Sequence, residues 1–261
     1  MLSYMKSEIY HVLHEKTIYI AATVLPGLTV LMNVLLAVLS GVDESFRYGT
    51  VRFSLNMLTG LMIAVVYAAI ATGSLLTSDK KTGVLKNIVA TGLSREKIFI
   101  GKCLVTLLFS VILLVLTVGA LVVSAYLLLE NREWEPLRQL LSGILTIFPF
   151  AVATMMYIIV VSMHNDSNGS LIIMCLLYLL FPNIIRALSM VNIFGVVADV
   201  LGKISSWLPL NMLNYEVDVW FSSYDCFWDK PGGMARGILA GIAWIVIMGV
   251  AGIRVYRKQD L

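Results

Sequence analysis

The chain is poor in charge. Asp, Glu, Lys and Arg make up 13% of its 261 residues, about half of the ~25% usual in soluble domains. Hydrophobic residues make up 59%. A single core cannot absorb that much apolar surface, so composition points to an integral membrane protein. Net charge is only +3, and no basic run or zinc-ligand spacing accompanies it, which argues against a nucleic-acid partner. Cysteine is scarce as well. Cys103 and Cys175 lie in apolar segments and Cys226 in a long loop, so no internal disulfide framework is expected.

Catalytic and energy-coupling motifs are missing too. HExxH, GxSxG and the filter pattern TVGYG do not occur. The phosphate-binding pattern GxxxxGK[ST] is not met: Gly101-Lys102 is followed by Cys103, and Glu96 stands where its first Gly belongs. No Asp or Glu lies within the apolar segments described below, whereas a proton-driven carrier ordinarily needs a buried ionisable group. The chain therefore reads as a non-enzyme that binds no cofactor or metal of its own. Energy for any uphill transport would have to come from a partner.

What the chain does have is length of apolar sequence. Six segments, at about 18–39, 55–76, 103–129, 140–163, 171–188 and 238–253, suit the roughly 20 helical residues that cross a bilayer. The first is too long for a signal-peptide core and lacks a small-residue cleavage site. The expected fold is thus all-α: an interfacial helix over 1–17, then one six-helix transmembrane domain over 18–261. A cytoplasmic loop at 77–102 would hold a short helix. An external loop at 189–235 would hold re-entrant or interfacial helices.

Six crossings put both termini on one side. That side carries Lys6, Lys16, Lys80, Lys81, Lys86, Arg95, Lys97, Lys102, Arg254, Arg257 and Lys258; the other carries Arg47, Arg52, Arg132, Arg138, Arg186, Lys203, Lys230 and Arg236. The excess of cations places both termini in the cytoplasm of a plasma membrane. The adjacent sequons at Asn165 and Asn168 then face the cytoplasm and are not expected to be glycosylated. The third segment is longer than the ~30 Å hydrocarbon core and should tilt or project. Pro182-Asn183 and Arg186 interrupt the fifth. Arg186 reads first as a snorkelling anchor and second as a cationic point on a substrate path. Asn33, Phe181 and Asn183 are further path candidates, although an Asn within a span reads equally as a helix–helix hydrogen bond.

In the N-terminal stretch Leu2, Met5, Ile9, Val12 and Leu13 share one helical face, as in a helix lying on a leaflet. His11 and His14 have no third ligand near them in sequence and read as surface histidines. The 189–235 loop is apolar and rich in aromatics (Trp207, Trp220, Phe221, Tyr224, Phe227, Trp228), as suits segments dipping into the outer leaflet. Gly237 and Gly241 have the spacing of a close helix contact, compatible with a dimer seam.

The stretch SDKKTGVLKNIVATGLSREKIFIGK, residues 78–102, interrupts this apolar pattern. Val84, Leu85, Ile88 and Val89 form one stripe of a short helix. Gly83 marks its opening bend, and Gly92 suits the position after its end. Ser94 suits an N-cap, with Glu96 in the first turn of a second helix that runs into the third span. The result is a short crossbar joined to a long membrane helix. It could pass on a partner's movement, or it could be a connector held to anionic lipid.

These residues carry a family resemblance. Asp79 to Lys86, then Gly92 to Lys102, resemble the signature loop of ABC-2 type permeases, and the tail Tyr256 to Leu261 is similar to that family's ending. Asp79 stands where the family usually has Glu, and Thr91-Gly92 stands where it usually has Pro. The resemblance implies a homodimeric permease in the lipid bilayer, bound by two copies of a cytoplasmic ABC ATPase that holds ATP and magnesium. Lys80, Lys81, Gly83, Leu85, Lys86 and Asn87 would form the coupling helix that docks the ATPase. Arg95, Glu96, Lys97, Gly101 and Lys102 would form the lever joint to the third helix. Size without a fused ATPase most resembles bacterial exporters of antimicrobial peptides, bacitracin-like compounds or amphipathic toxins. A non-transporting assembly or sensor subunit is the alternative, and a secondary transporter comes third.

Overall fold

The computed structural model describes residues 2–42, 46, 48–60, 92–164, 180–181, 184–188, 196–205, 208, 216–217, 224–225 and 227–258. Nearly all of them are α-helical. The helices are α1 (Leu2–His14), α2 (Lys16–Val42), α3 (Val51–Gly60), α4 (Arg95–Leu128), α5 (Glu135–His164), α6 (Val196–Ser205) and α7 (Gly233–Lys258). Before α7 come a two-residue antiparallel pairing of Glu216–Val217 with Tyr224–Asp225 and a 3₁₀ turn at Phe227–Asp229.

Four of these helices, α2, α4, α5 and α7, are long and apolar enough to cross a membrane. They match the first, third, fourth and sixth expected spans. The second and fifth fall largely outside the described residues, and so does the expected short helix at 83–91. The longest, α4, has 34 residues, or about 51 Å at 1.5 Å per residue. It begins eight residues before the apolar run, so its first two turns extend beyond the apolar segment.

Packing fixes the direction of each helix. Val12 and Ile18 pack with Val105 and Phe109, while Asn33 meets Leu121 and Ser124. Residue numbers rise together, so α2 and α4 run parallel. Gly241 lies on Pro149 and Gly249 on Met156, so α5 and α7 are parallel too. Phe99 of α4 sits on Gly252 of α7, which makes that pair antiparallel. The start of α1, the start of α4 and the end of α7 therefore share one end, the terminal end. At the far end the chain before α3 pairs with the α4–α5 turn, Val51 N donating to Glu130 O at 3.0 Å. Arg52 pairs with Glu133 at 3.3 Å, and Arg138 with Glu135 at 2.6 Å.

In hydrocarbon every polar group needs a protein partner. Four hydroxyls meet this demand locally: those of Ser110, Ser124, Thr146 and Thr154 each donate to a carbonyl one turn back in their own helix, whereas the buried Thr117 hydroxyl of α4 has no such bond. Asn33 instead bonds across helices. It is fully buried. Its Nδ2 donates to Ser124 Oγ at 2.7 Å and to Leu121 O at 3.2 Å, and its Oδ1 accepts from Ser54 Oγ at 2.5 Å. One amide thus ties α2, α3 and α4 together.

Three expectations are corrected. First, of the face expected for α1 Met5, Ile9 and Val12 do pack inward, but Leu2 and Leu13 are exposed, and Tyr4 and the half-buried Glu8 join the inward side instead. Its seat is the flank of α4, so its inward face follows the i, i+4, i+8 line of Tyr4, Glu8 and Val12. Second, Gly237 and Gly241 are both buried, and the close contact of Gly241 is one within the chain, on Pro149 of α5. Third, Trp228 is only 5% exposed and belongs to the core cluster. The aromatic run therefore ends inside the protein. In α6, by contrast, Val197, Val200 and Ile204 are exposed along one side.

Gly241 separates packing from propensity. A Cβ there would lie 2.5 Å from Pro149 Cβ and 3.2 Å from Phe150 N. Gly119 in α4 has nothing within 4 Å of such an atom. Gly241→Val should therefore lower stability by roughly 1–3 kcal/mol. Gly119→Ala should be neutral or gain up to ~1 kcal/mol. Thermal unfolding of the two variants in one detergent checks this; equal shifts would show that α7 does not depend on this close approach.

Candidate functional site

The joint between the 78–102 stretch and α4 is the polar feature that local packing most clearly constrains. Lys80, Lys81, Gly83, Leu85, Lys86 and Asn87 lie outside the described residues. Description resumes at Gly92, whose φ of 86° is the left-handed conformation that glycine tolerates best. Leu93 packs against the core. Ser94 has the extended backbone of an N-cap (φ −67°, ψ 143°), but its side chain makes no cap bond. Its carbonyl accepts the first helical bond, from Ile98 N at 3.2 Å. Residues 95–102 then form the first turns of α4 without a break.

Two neighbours grip these turns from different sides. On one side is α1. A Cβ on Gly101 would lie 2.7 Å from Tyr4 Cε1, so this glycine is the notch that admits the Tyr4 ring. One residue on, Lys102 Nζ lies 3.6 Å from Glu8 Oε1, with the side chains 4% and 13% exposed. On the other side is the end of α7. Phe99 is almost fully buried, lies against Gly252, and has its ring centroid 4.9 Å from that of Tyr256. Arg257 Nε donates to Glu96 Oε1 at 2.5 Å, and Arg95 Nη1 donates to Arg257 O at 3.4 Å.

These contacts differ in kind. The Glu96–Arg257 pair is exposed and worth at most about 1 kcal/mol. Burial of Phe99 contributes more, about 1.5–3 kcal/mol for such a side chain. The Glu8–Lys102 pair is largely withdrawn from water, so losing one partner leaves a charge stranded. Of the expected joint residues, Arg95, Glu96, Gly101 and Lys102 are thus all engaged by α1 or α7, while Lys97 is exposed. Of their counterparts, Tyr4, Glu8 and Gly252 were not singled out from sequence, and Tyr256 only as part of the tail. They lie at the two extremes of the chain, and only the fold brings them to α4.

The path candidates are placed differently. Asn33 is buried in the three-helix hydrogen bond described above. Phe181 is 56% exposed, and Arg186 is exposed on a helical stretch at 184–188. Asn183 lies outside the described residues. His14 Nδ1 is 2.8 Å from Tyr10 O, and no group of three metal-binding side chains occurs among the described residues.

A family model described as ABC-2 family transporter protein matches residues 5–183. No curated protein matches the chain. The matched span runs from α1 through the joint and α5.

Lys102→Met should lower stability by on the order of 3 kcal/mol, because Glu8 would keep a largely buried charge. Glu8→Gln combined with Lys102→Met should recover most of that loss. Denaturation of both variants in mixed micelles reads the difference; equal losses would show that the pair holds nothing together.

Proposed function

The chain belongs to the ABC-2 transporter family, and from that membership we propose that it is the six-pass permease subunit of a bacterial ABC exporter. Two copies would form the pore, each docked by a separate ATPase through residues 80–87. ATP-driven closure of the ATPases would push the coupling helices and, through them, the root of α4. Cargo would be a peptide or amphipathic antimicrobial compound leaving the cell.

One observation carries this reading. The segment that resembles the family's docking loop leads directly into the longest rigid element of the fold, and that element is gripped at its root. A push delivered just before Arg95 would meet a continuous 34-residue helix. It would not be lost in a loop.

Connectivity supports six passes. Parallel neighbours α2 and α4 begin at the terminal end, while α3 begins at the far end, so the chain changes ends between α3 and α4. It does so again between α5 and α7, which are parallel to each other. Cation placement supports cytoplasmic termini: Lys97, Lys102, Arg254 and Arg257 cluster at the terminal end.

The test is capture of the ATPase subunit encoded beside this chain by the purified permease in lipid. Leu85→Asp or Lys86→Glu should weaken capture at least about tenfold, the loss expected for one central contact. Added peptide should raise ATP turnover of the wild-type complex. Undiminished capture by both variants would overturn the docking assignment. Capture without any peptide response would favour a sensor or assembly subunit.

A further inference from the structure

We infer that the last helix, α7, is a second output arm of the lever, and that Arg257 is the positioning residue that couples it to α4. This rests on the reading of the chain as an ATPase-driven permease.

Three observations meet at this point. Consecutive residues Arg95 and Glu96 both bind Arg257, one through its carbonyl at 3.4 Å and the other through its side chain at 2.5 Å. A residue held at backbone and side chain together is fixed in orientation as well as distance. One turn deeper, the Phe99 ring fills the space that a Cβ at Gly252 would need. Beyond that, α7 lies along α5, with Gly241 on Pro149 and Gly249 against Met156. Tilt of the α4 root would therefore pass to α7 through the Arg257 clamp and the Phe99 contact, and from α7 to α5. The α4 root would move three helices, although the coupling segment joins only one of them.

The pair is exposed, so it adds little to stability. Its contribution is geometric and should appear in coupling. The experiment uses the full-length permease with its ATPase subunit in nanodiscs and Mg·ATP as the probe. Variants are Arg257→Glu, Glu96→Arg and the charge-swapped double. Two readouts are taken: the amount of ATPase captured, and ATP turnover of the complex relative to the free ATPase. Both single variants should capture the ATPase as wild type does, yet shrink the permease-dependent change in turnover by about fivefold or more. The double variant should restore it, because the swapped pair rebuilds the clamp. Gly252→Val should uncouple likewise by wedging Phe99 away, and the charge swap should not rescue it.

Normal turnover change in the single variants with intact capture would overturn the second-arm inference alone. Failure of the double variant to restore coupling would also overturn it. Failure of the wild-type chain to capture the ATPase would overturn the functional reading, and this inference with it.

Discussion

The buried face of α4 is the constraint on which the rest of the structure depends. Ile98, Cys103, Val105, Phe109, Leu113, Thr117, Leu121, Ser124 and Ala125 all lie within that face or its margins, so one side of a 34-residue helix stays covered along its whole length. Each neighbour covers a different stretch: α1 and α7 the root, α2 most of the length, and α3 and the α5 start the far end. The covering is specific at both extremes. At the root, Gly101 admits Tyr4, and Gly252 admits Phe99. Toward the far end, Ser124 shares the Asn33 amide.

Low dielectric explains where polar groups sit. In the apolar length of the helices, the hydroxyls of Ser110, Ser124, Thr146 and Thr154 bond to their own backbone, and Asn33 binds across three helices. Among the described residues, the ion pairs of Arg52, Lys102, Arg138 and Arg257 lie at the ends. At the far end Arg52 of α3 pairs with Glu133 of the α4–α5 turn, Glu135 pairs with Arg138 within the first turn of α5, and Asp229 lies 3.8 Å from Arg138. At the terminal end the pairs instead connect helices, Glu8 with Lys102 and Glu96 with Arg257. The terminal end thus holds α1, α4 and α7 together through side chains of different helices. The lipid side of the fold needs no such detail. Along α2, residues such as Ile20, Val24, Leu28, Leu31 and Leu35 are exposed on the outside, as a membrane-facing helix requires.

Much of this was legible in sequence. Runs of about 20 apolar residues without an acid define a crossing helix almost by themselves, and α2, α4, α5 and α7 follow them. The start of α4 was legible too, because Gly92 and the charged first turn of the helix break an otherwise apolar pattern. What was not legible depends on pairing across the chain. Glu96 and Arg257 are separated by 161 residues, and nothing local marks either as the other's partner. Asn33 permitted two readings until Ser54 and Ser124 were placed beside it. Of the face expected for α1, Met5, Ile9 and Val12 do pack inward, whereas Leu2 and Leu13 are exposed and Tyr4 is buried instead, in the notch at Gly101. Trp228 was assigned to the interface because composition cannot distinguish a lipid-facing tryptophan from a core one.

The central claim is that α4 receives force at its root and carries α7 with it as one body. Spin labels at the exposed positions Lys97 and Arg254, in a chain with Cys103, Cys175 and Cys226 replaced, test it directly. Distances would be measured in the complex with its ATPase, first without nucleotide and then trapped with Mg·ATP and vanadate. The account predicts that the Lys97–Arg254 distance within one subunit stays the same while the Lys97–Lys97 distance between the two subunits changes. A change in the Lys97–Arg254 distance on trapping would contradict it, because α4 would then be moving away from the helix it is proposed to carry.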